Sequence, residues 1–554
     1  FLYFIGGPRP PPNFICVSRR RRRTVHATLL DHHNIPHTMA DIDELADAME
    51  AMALDRMSAK PPESKSAPIA YAALTPEEAD MFQNTMEAAK RLLSTDLPPE
   101  PDESLGPGRA NPVASIRRLL SRDRDPPLRE FVECGGVPVF LEIATWALHG
   151  LPPFDAEGGS ALARLGCSAL EIAHDALWSL NNIASGPTSA TMAVVESGCV
   201  PLFVQGARSH EDARIATICA WALGNVSGDS VQLRDFAIAH DAVGAICGAI
   251  ERHGFGPDGK PNLDLLRNCA WALSNTTRYK PHPGREIVEP VIIMARSLLT
   301  SVEDDEVASD ALWCFAYSIE GPCEFEVATY VLTTGLLPGV IGAIASPNKI
   351  LATAALRLVG GIAAGSDENT EQLLRAGALE AVSRALHAGL GRLEKDAMWF
   401  LSNVAAGTRE QTARLLTAID DSTPPPLAIA ITRLLAGYDT PSHVAAEAVW
   451  VVSNAIMTSD EEMVSMIIRQ YDGLQALLKF LRLFAPSGER YIVAALDGLE
   501  RLLNVEPELC IEYIATNGDA DVFPPLESYV ETETGQAKLE GVTKLLPDSL
   551  FDCS

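Results

Sequence analysis

The 554-residue chain has no Cys-x-x-Cys pair among its 11 cysteines, no apolar run of membrane-spanning length, and only 44 Lys and Arg against 73 Asp and Glu. Each shortage excludes something. Cys219, Cys269 and Cys314 fall inside apolar helical patterns, where a free thiol packs as a small hydrophobe, and this argues for a reducing compartment rather than a disulfide framework or a zinc site. No run of about 18 apolar residues occurs, and FLYFIGG lacks the ordered regions of a signal peptide. No membrane insertion is therefore expected, and the chain reads as soluble and intracellular. A formal charge of −29 disfavours nucleic acid, whose phosphates it would repel, and favours a basic partner.

Catalytic signatures are missing too. G-x-S-x-G, H-E-x-x-H and the P-loop are not found. GFGPDGK (254–260) satisfies G-x-G-x-x-G only on paper, because no strand precedes it and Pro257 and Pro261 block the helix start that would hold a pyrophosphate. The histidines of DHHNIPH (31–37) lie in a tail. No enzyme, metal site or cofactor is expected.

What the chain does have is a repeat. DALWSLNNIASG (175–186) is echoed by CAWALGNVSGD (219–229) and CAWALSNTTR (269–278), each with an asparagine four residues after a tryptophan. In register, Trp178, Trp221, Trp271, Trp313, Arg357, Trp399 and Trp450 are separated by 43, 50, 42, 44, 42 and 51 residues. The two long intervals hold the Gly/Pro-rich loops HGFGPDGKP (253–261) and DDSTPPPLA (420–428). A period near 42 built of helical segments, punctuated by turns such as ESGCVP (196–201) and TTGLLP (333–338), predicts an all-α armadillo/HEAT solenoid of about ten repeats between residues 110 and 550. Residues 1–108, with PRPPPN, the run Arg19 to Arg23, the acidic ADIDELADAMEAMALD and the linker KPPESKSAP, offer little to a core and read as a largely disordered segment. A chain started at Met39 would lack the arginine run. The expected division is 1–108, repeats over 109–506 and an atypical C-terminal repeat with tail over 507–554.

Within DALWSLNNIASG, Leu177, Leu180, Ile183 and Ala184 recur at helical spacing and supply a core face, while Trp178, Asn182 and Ser185 form a second stripe beside it. Residues four apart stack on a helix, so successive repeats would raise a ladder of Trp/Asn pairs. Two readings compete. Tryptophan is commonly core and asparagine commonly a cap; against this, the core stripe is already filled and the asparagine sits mid-helix, where its propensity is poor. In the binding reading, asparagine amides engage the backbone of an extended peptide, and the π-faces between tryptophans take the stems and heads of Lys or Arg.

At these residues the sequence resembles importin-α, the armadillo-repeat adaptor for nuclear localisation signals, over about residues 110–550. The resemblance is carried by SLNNIASG, WALGNVSGDS, LRNCAWALSN, the arginine-for-tryptophan exchange in AALRLVG, and WFLSNVAAG. It implies a right-handed superhelical solenoid, cargo peptides rich in Lys and Arg, importin-β as carrier, an export factor at the C-terminal repeat, and shuttling between cytoplasm and nucleus. It further implies a major groove of Trp178, Asn182, Gly186, Thr191, Trp221, Asn225, Asp229, Trp271 and Asn275, with Asp229 pairing the key lysine. A minor groove of Trp313, Tyr317, Glu320, Asp396, Trp399, Asn403, Glu447, Trp450 and Asn454 follows, with Arg357 dividing the two. The chain departs from the family at Ile218, in place of a glutamine facing the signal, at Gly361, in place of an asparagine, and in an insertion over 152–168. SRRRRRTVHATLL (18–30) resembles the middle of the importin-β-binding segment, but its second basic cluster is missing. The alternative is a scaffold of the catenin type binding other extended partners.

Overall fold

The computed structural model describes residues 74–93, 111–149 and 167–551, all within one compact unit, Asp47–Ser554. The arginine run, DHHNIPH, Met39, the acidic stretch and linker after it, and most of the 152–168 insertion lie outside the described residues.

Among the described residues the structure is helical, apart from an isolated bridge between Phe255 and Pro261 in the first long loop. Nine helices matter for the ladder: α1 (Pro112–Leu120), α2 (Ala169–Ala184), α3 (Ala213–Asp229), α4 (Leu263–Thr277), α5 (Asp305–Ser318), α6 (Lys349–Ala364), α7 (Glu394–Ala405), α8 (Ser442–Thr458) and α9 (Glu489–Val505). Short polar residues fix several of their starts. Ser168 and Glu171 form a reciprocal capping box before α2, and the side chains of Asp212, Asn262, Asp304 and Asn348 accept first-turn N–H groups of α3 to α6. In ESGCVP and TTGLLP the glycine makes the reversal. Gly198 and Gly335 hold φ of +83° and +79°, a left-handed conformation that side chains other than glycine resist.

Each long helix packs on the next from α1 through α9, and a second layer containing Cys199–Ser209, Ala242–His253 and Arg285–Ser301 stacks in the same order beside it. The core is therefore continuous and built from neighbour-to-neighbour contacts, as a helical repeat array requires. Leu177, Leu180, Ile183 and Ala184 are buried, as their spacing predicts. Every described cysteine is a free thiol, and burial pushes those of Cys219, Cys269 and Cys314 far above the ordinary range.

Two expectations are refined. Within 1–108, the described stretch 74–93 joins the core: Pro76–Arg91 is a helix with a Thr75/Glu78 capping box, and Phe82, Met86, Ala89 and Leu92 are buried. Its composition averages out an amphipathic stretch that the T-P-E-E signal marks locally. The loop at 420–428 is shorter than its prolines suggest, because Pro426 opens the helix Pro426–Leu435. Proline at a first helical position sacrifices no hydrogen bond.

Candidate functional site

The ladder is built by the stack itself. Because consecutive long helices pack side by side, the six repeated tryptophans line up along them. All six are half-buried, so they neither complete the core nor stand free. Glycines on the preceding helix seat two of them. A Cβ at Gly224 would lie 2.5 Å from the Trp271 ring, and one at Gly360 would lie 2.5 Å from the Trp399 ring, so only glycine permits this approach.

The asparagines have internal partners. Asn182 Nδ2 donates to Ser121 Oγ at 2.9 Å, Asn225 to Asn181 Oδ1 at 2.9 Å, and Asn275, Asn403 and Asn454 to the carbonyls of Gly224, Gly360 and Ser402, each at 3.1 Å. Every one reaches back to the preceding repeat. The mid-helix asparagines thus tie repeats together, which offsets their poor propensity. Asn275 is only 3% exposed.

Asp229 closes α3 at its C-terminal end, where the helix dipole already disfavours a carboxylate. Burial raises its pKa further, countered only by hydroxyls of Thr191, Thr188 and Ser230. The Thr191 hydroxyl lies 3.1 Å from Asp229 Oδ2 and 3.0 Å from the Ala184 carbonyl oxygen, while Asp229 Oδ1 has no hydrogen-bond donor. Gly186 borders this turn against Leu128 and Ala190. Tyr279, which no repeat pattern marks, donates its hydroxyl to the Gly228 carbonyl at 2.6 Å and so latches the turn that carries Asp229. Arg234, 1% exposed, donates in turn to the Tyr279 and Pro281 carbonyls and fixes that loop.

The C-terminal half of the ladder differs electrostatically. Trp313 and Tyr317 stack with ring centroids 4.9 Å apart. Its acids, however, already face the chain's own cations. Glu320 lies 2.9 Å from Lys280, and Asp396 lies 2.8 Å from Arg357. Asp396 and Glu447 are buried, and desolvation raises both pKa values, partly offset by Arg357 and Lys395 at both sites and by Arg490 at Glu447. Neither single-residue departure from the pattern of the resemblance, at Ile218 or at Gly361, opens toward a ligand. Ile218 is 2% exposed and sits in the core, and Gly361 leaves room for Ile319, whose Cγ2 would lie 2.5 Å from an added Cβ.

Comparison with known proteins agrees with this architecture. Residues 188–228 match the family model described as Armadillo/beta-catenin-like repeat. The chain carries an armadillo repeat. It is 33% identical over 289 residues to Importin subunit alpha-1b of Oryza sativa subsp. japonica, covering 52% of this chain and 48% of that one. It is 29% identical over 307 residues to Importin subunit alpha-1a of the same organism, covering 55% and 52% respectively. The chain thus spans about half the length of these curated relatives. A crystal structure of an engineered protein superposes with a TM-score of 0.63 at 20% identity, covering 83% of this chain and 98% of its own. The fold is an armadillo-repeat solenoid.

Chemically, the armadillo ladder offers π-faces, amide oxygens and one carboxylate held by hydroxyls alone. That combination suits an ammonium on a flexible stem. Among the described residues, no group of three or more His, Cys, Asp or Glu is placed to hold a metal ion, and no single helix is long and apolar enough to cross a membrane. The residues that sequence reasoning missed, Ser121, Tyr279, Lys280 and Arg234, lie outside the repeated stripe and reach it from neighbouring repeats. No spacing rule on one helix could find them.

Proposed function

We propose that this chain is a nuclear import adaptor whose ladder binds extended Lys/Arg-rich localisation signals and links them to importin-β. One observation carries the reading: Asp229 is a partly buried carboxylate at the C-terminus of the helix that bears Trp221, supported by hydroxyls alone. An ammonium is the group that relieves its desolvation. The likeness to importin α subunits over half their length supports the same reading. The cargo peptide runs antiparallel to the repeats, with its lysine at Asp229 and its backbone along Asn182, Asn225 and Asn275. Trp313, Trp399 and Trp450 take a second basic cluster. The basic segment 18–30 contacts importin-β, the repeat from Pro507 onward meets an export factor, and the protein shuttles between cytoplasm and nucleus.

Fluorescence-polarisation binding of a PKKKRKV-type peptide to the full chain tests this, beside a control with the second lysine changed to threonine. Binding should be lost in the control and should weaken as salt rises. Asp229→Lys should cost at least tenfold in affinity, about 1.4 kcal/mol. Equal affinity for both peptides would move the catenin-type scaffold to first place.

A further inference from the structure

We infer that Arg117 is a built-in occupant of the first step of the ladder, where it stands in for the cationic side chain that this step would otherwise take from a ligand. The inference rests on the peptide-binding reading above and adds a specificity determinant to it.

Arg117 in α1 and Ser121 at its C-cap lie four residues apart, as do Trp178 and Asn182 within α2, so each pair lies one turn apart along its helix. The two pairs meet. The Arg117 guanidinium carbon is 5.6 Å from the centroid of the Trp178 ring, within the range of a cation–π contact. One turn along, Asn182 donates to Ser121 Oγ at 2.9 Å. The protein's own helix thus presents a cation to the tryptophan, while the Asn182–Ser121 bond is the same tie to the preceding repeat that the other ladder asparagines make.

Arg117 is also anchored. Its Nε lies 2.7 Å from Asp175 Oδ1, an ion pair without hydrogen-bond alignment, and Asp175 stands one turn before Trp178 on α2. The side chains of the pair are 28% and 14% exposed, so solvent screens it less than an ordinary surface bridge. The remaining approaches to Trp178 are narrow. The Trp221 ring meets it edge to face with centroids 5.8 Å apart at 80°, and the His174 ring lies 5.5 Å away. A methylene stem between two ring faces needs about 3.5 to 4 Å on each side, more than this contact leaves. A sequence reading that spaces the rings for a lysine stem fails at this first gap.

Two consequences follow. A Lys or Arg of the ligand arriving at Trp178 meets a like charge already neutralised by the acid that would have attracted it. Removing Arg117 uncovers the Trp178 face and leaves the Asp175 carboxylate for the ligand. Arg117 therefore sets the specificity of this step toward an uncharged residue and shortens the cation-reading part of the groove to the steps around Trp221, Asp229 and Trp271.

The test is an alanine scan of the basic peptide, one position at a time, measured by fluorescence polarisation on the wild type, Arg117→Met and Asp229→Asn. Methionine takes the guanidinium away from Trp178 and Asp175 while keeping helix propensity in α1, and circular dichroism and the melting temperature report whether α1 stays folded. On the wild type, one position C-terminal to the pocketed lysine should tolerate alanine with little change. In Arg117→Met the basic residue at that one position should bind about tenfold tighter than alanine, while the other positions keep their wild-type pattern. A uniform shift across all peptides, or an unchanged pattern, overturns the inference and reduces Arg117 to a helix tie, even where Asp229→Asn still abolishes binding. Wild-type binding that ignores Asp229→Asn overturns the adaptor reading itself, and the inference falls with it.

Discussion

Asp229 shows what the proposed site costs the protein before any ligand is bound. Its carboxylate meets both burial and the negative end of α3, and hydroxyls answer it only in part. Folding therefore raises its pKa, so the folded chain holds this proton more tightly than the unfolded chain does. The group is neutral and harmless below the ordinary carboxylate range, and stability is lost as pH rises through the raised value. Asp229→Asn should accordingly raise the melting temperature at neutral pH, with the gain shrinking as pH is lowered toward about 4. The same substitution should weaken lysine-peptide binding at least tenfold, about 1.4 kcal/mol. Thermal unfolding and peptide titration across pH check the two signs together; a variant less stable than wild type at neutral pH would show that Thr191 and its neighbours satisfy the charge. Asp229 itself was legible from WALGNVSGDS. Tyr279 and Arg234, which hold its turn, were not, because the latch joins α3 to the loop after α4 and lies outside the Trp/Asn stripe.

At the scale of the element, the seating of tryptophans on glycines yields a contrast within one substitution. Gly224→Ala gains helix propensity of about 1 kcal/mol but sets a methyl 2.5 Å from the Trp271 ring. Overpacking of that kind costs about 1 to 3 kcal/mol, so the clash wins. The variant should melt lower and, through a displaced Trp271, bind the basic peptide more weakly. Gly339→Ala is the opposite case. Gly339 lies inside the helix Leu337–Ala343 and an added Cβ meets nothing within 4 Å, so a gain of about 0.5 to 1 kcal/mol is expected. Melting curves of the two variants decide whether contact or propensity governs. The helices and their order were readable from the Trp period and from polar caps such as Asn262 and Asp304. The glycine seats were not, since each contact lies on a different repeat from its glycine. The helix Pro76–Arg91 was legible locally, through Thr75 and Glu78, and was hidden by the composition around it.

For the whole molecule, the distribution of charge outweighs its total. Many cations of this acidic chain bridge one repeat to the next, as in Arg267 to Asp304, Arg433 to Glu394, Arg414 to Glu371 and Lys538 to Glu500. The sequence marks Glu320 and Asp396 as groove acids, but their cationic partners come from neighbouring helices and loops that only the stack brings together. The consequence is a division of labour: the first half of the ladder keeps a carboxylate without a cation at Asp229, whereas the second half starts closer to neutral. A peptide with one basic cluster should then depend almost wholly on Asp229. A peptide with two clusters should gain little from the second until a competing cation is removed. Lys280 is the accessible one, being 59% exposed and 2.9 Å from Glu320, which is 18% exposed. Because such a pair is worth about 0.5 to 1 kcal/mol, Lys280→Ala should tighten binding of the two-cluster peptide by about two- to fivefold. It should leave the single-cluster peptide unchanged, and raising the salt should erase the difference between the peptides. Isothermal titration of both peptides against wild type and Lys280→Ala measures this directly. An equal gain for both would mean that Lys280 acts through the Tyr279 loop on Asp229 rather than through Glu320.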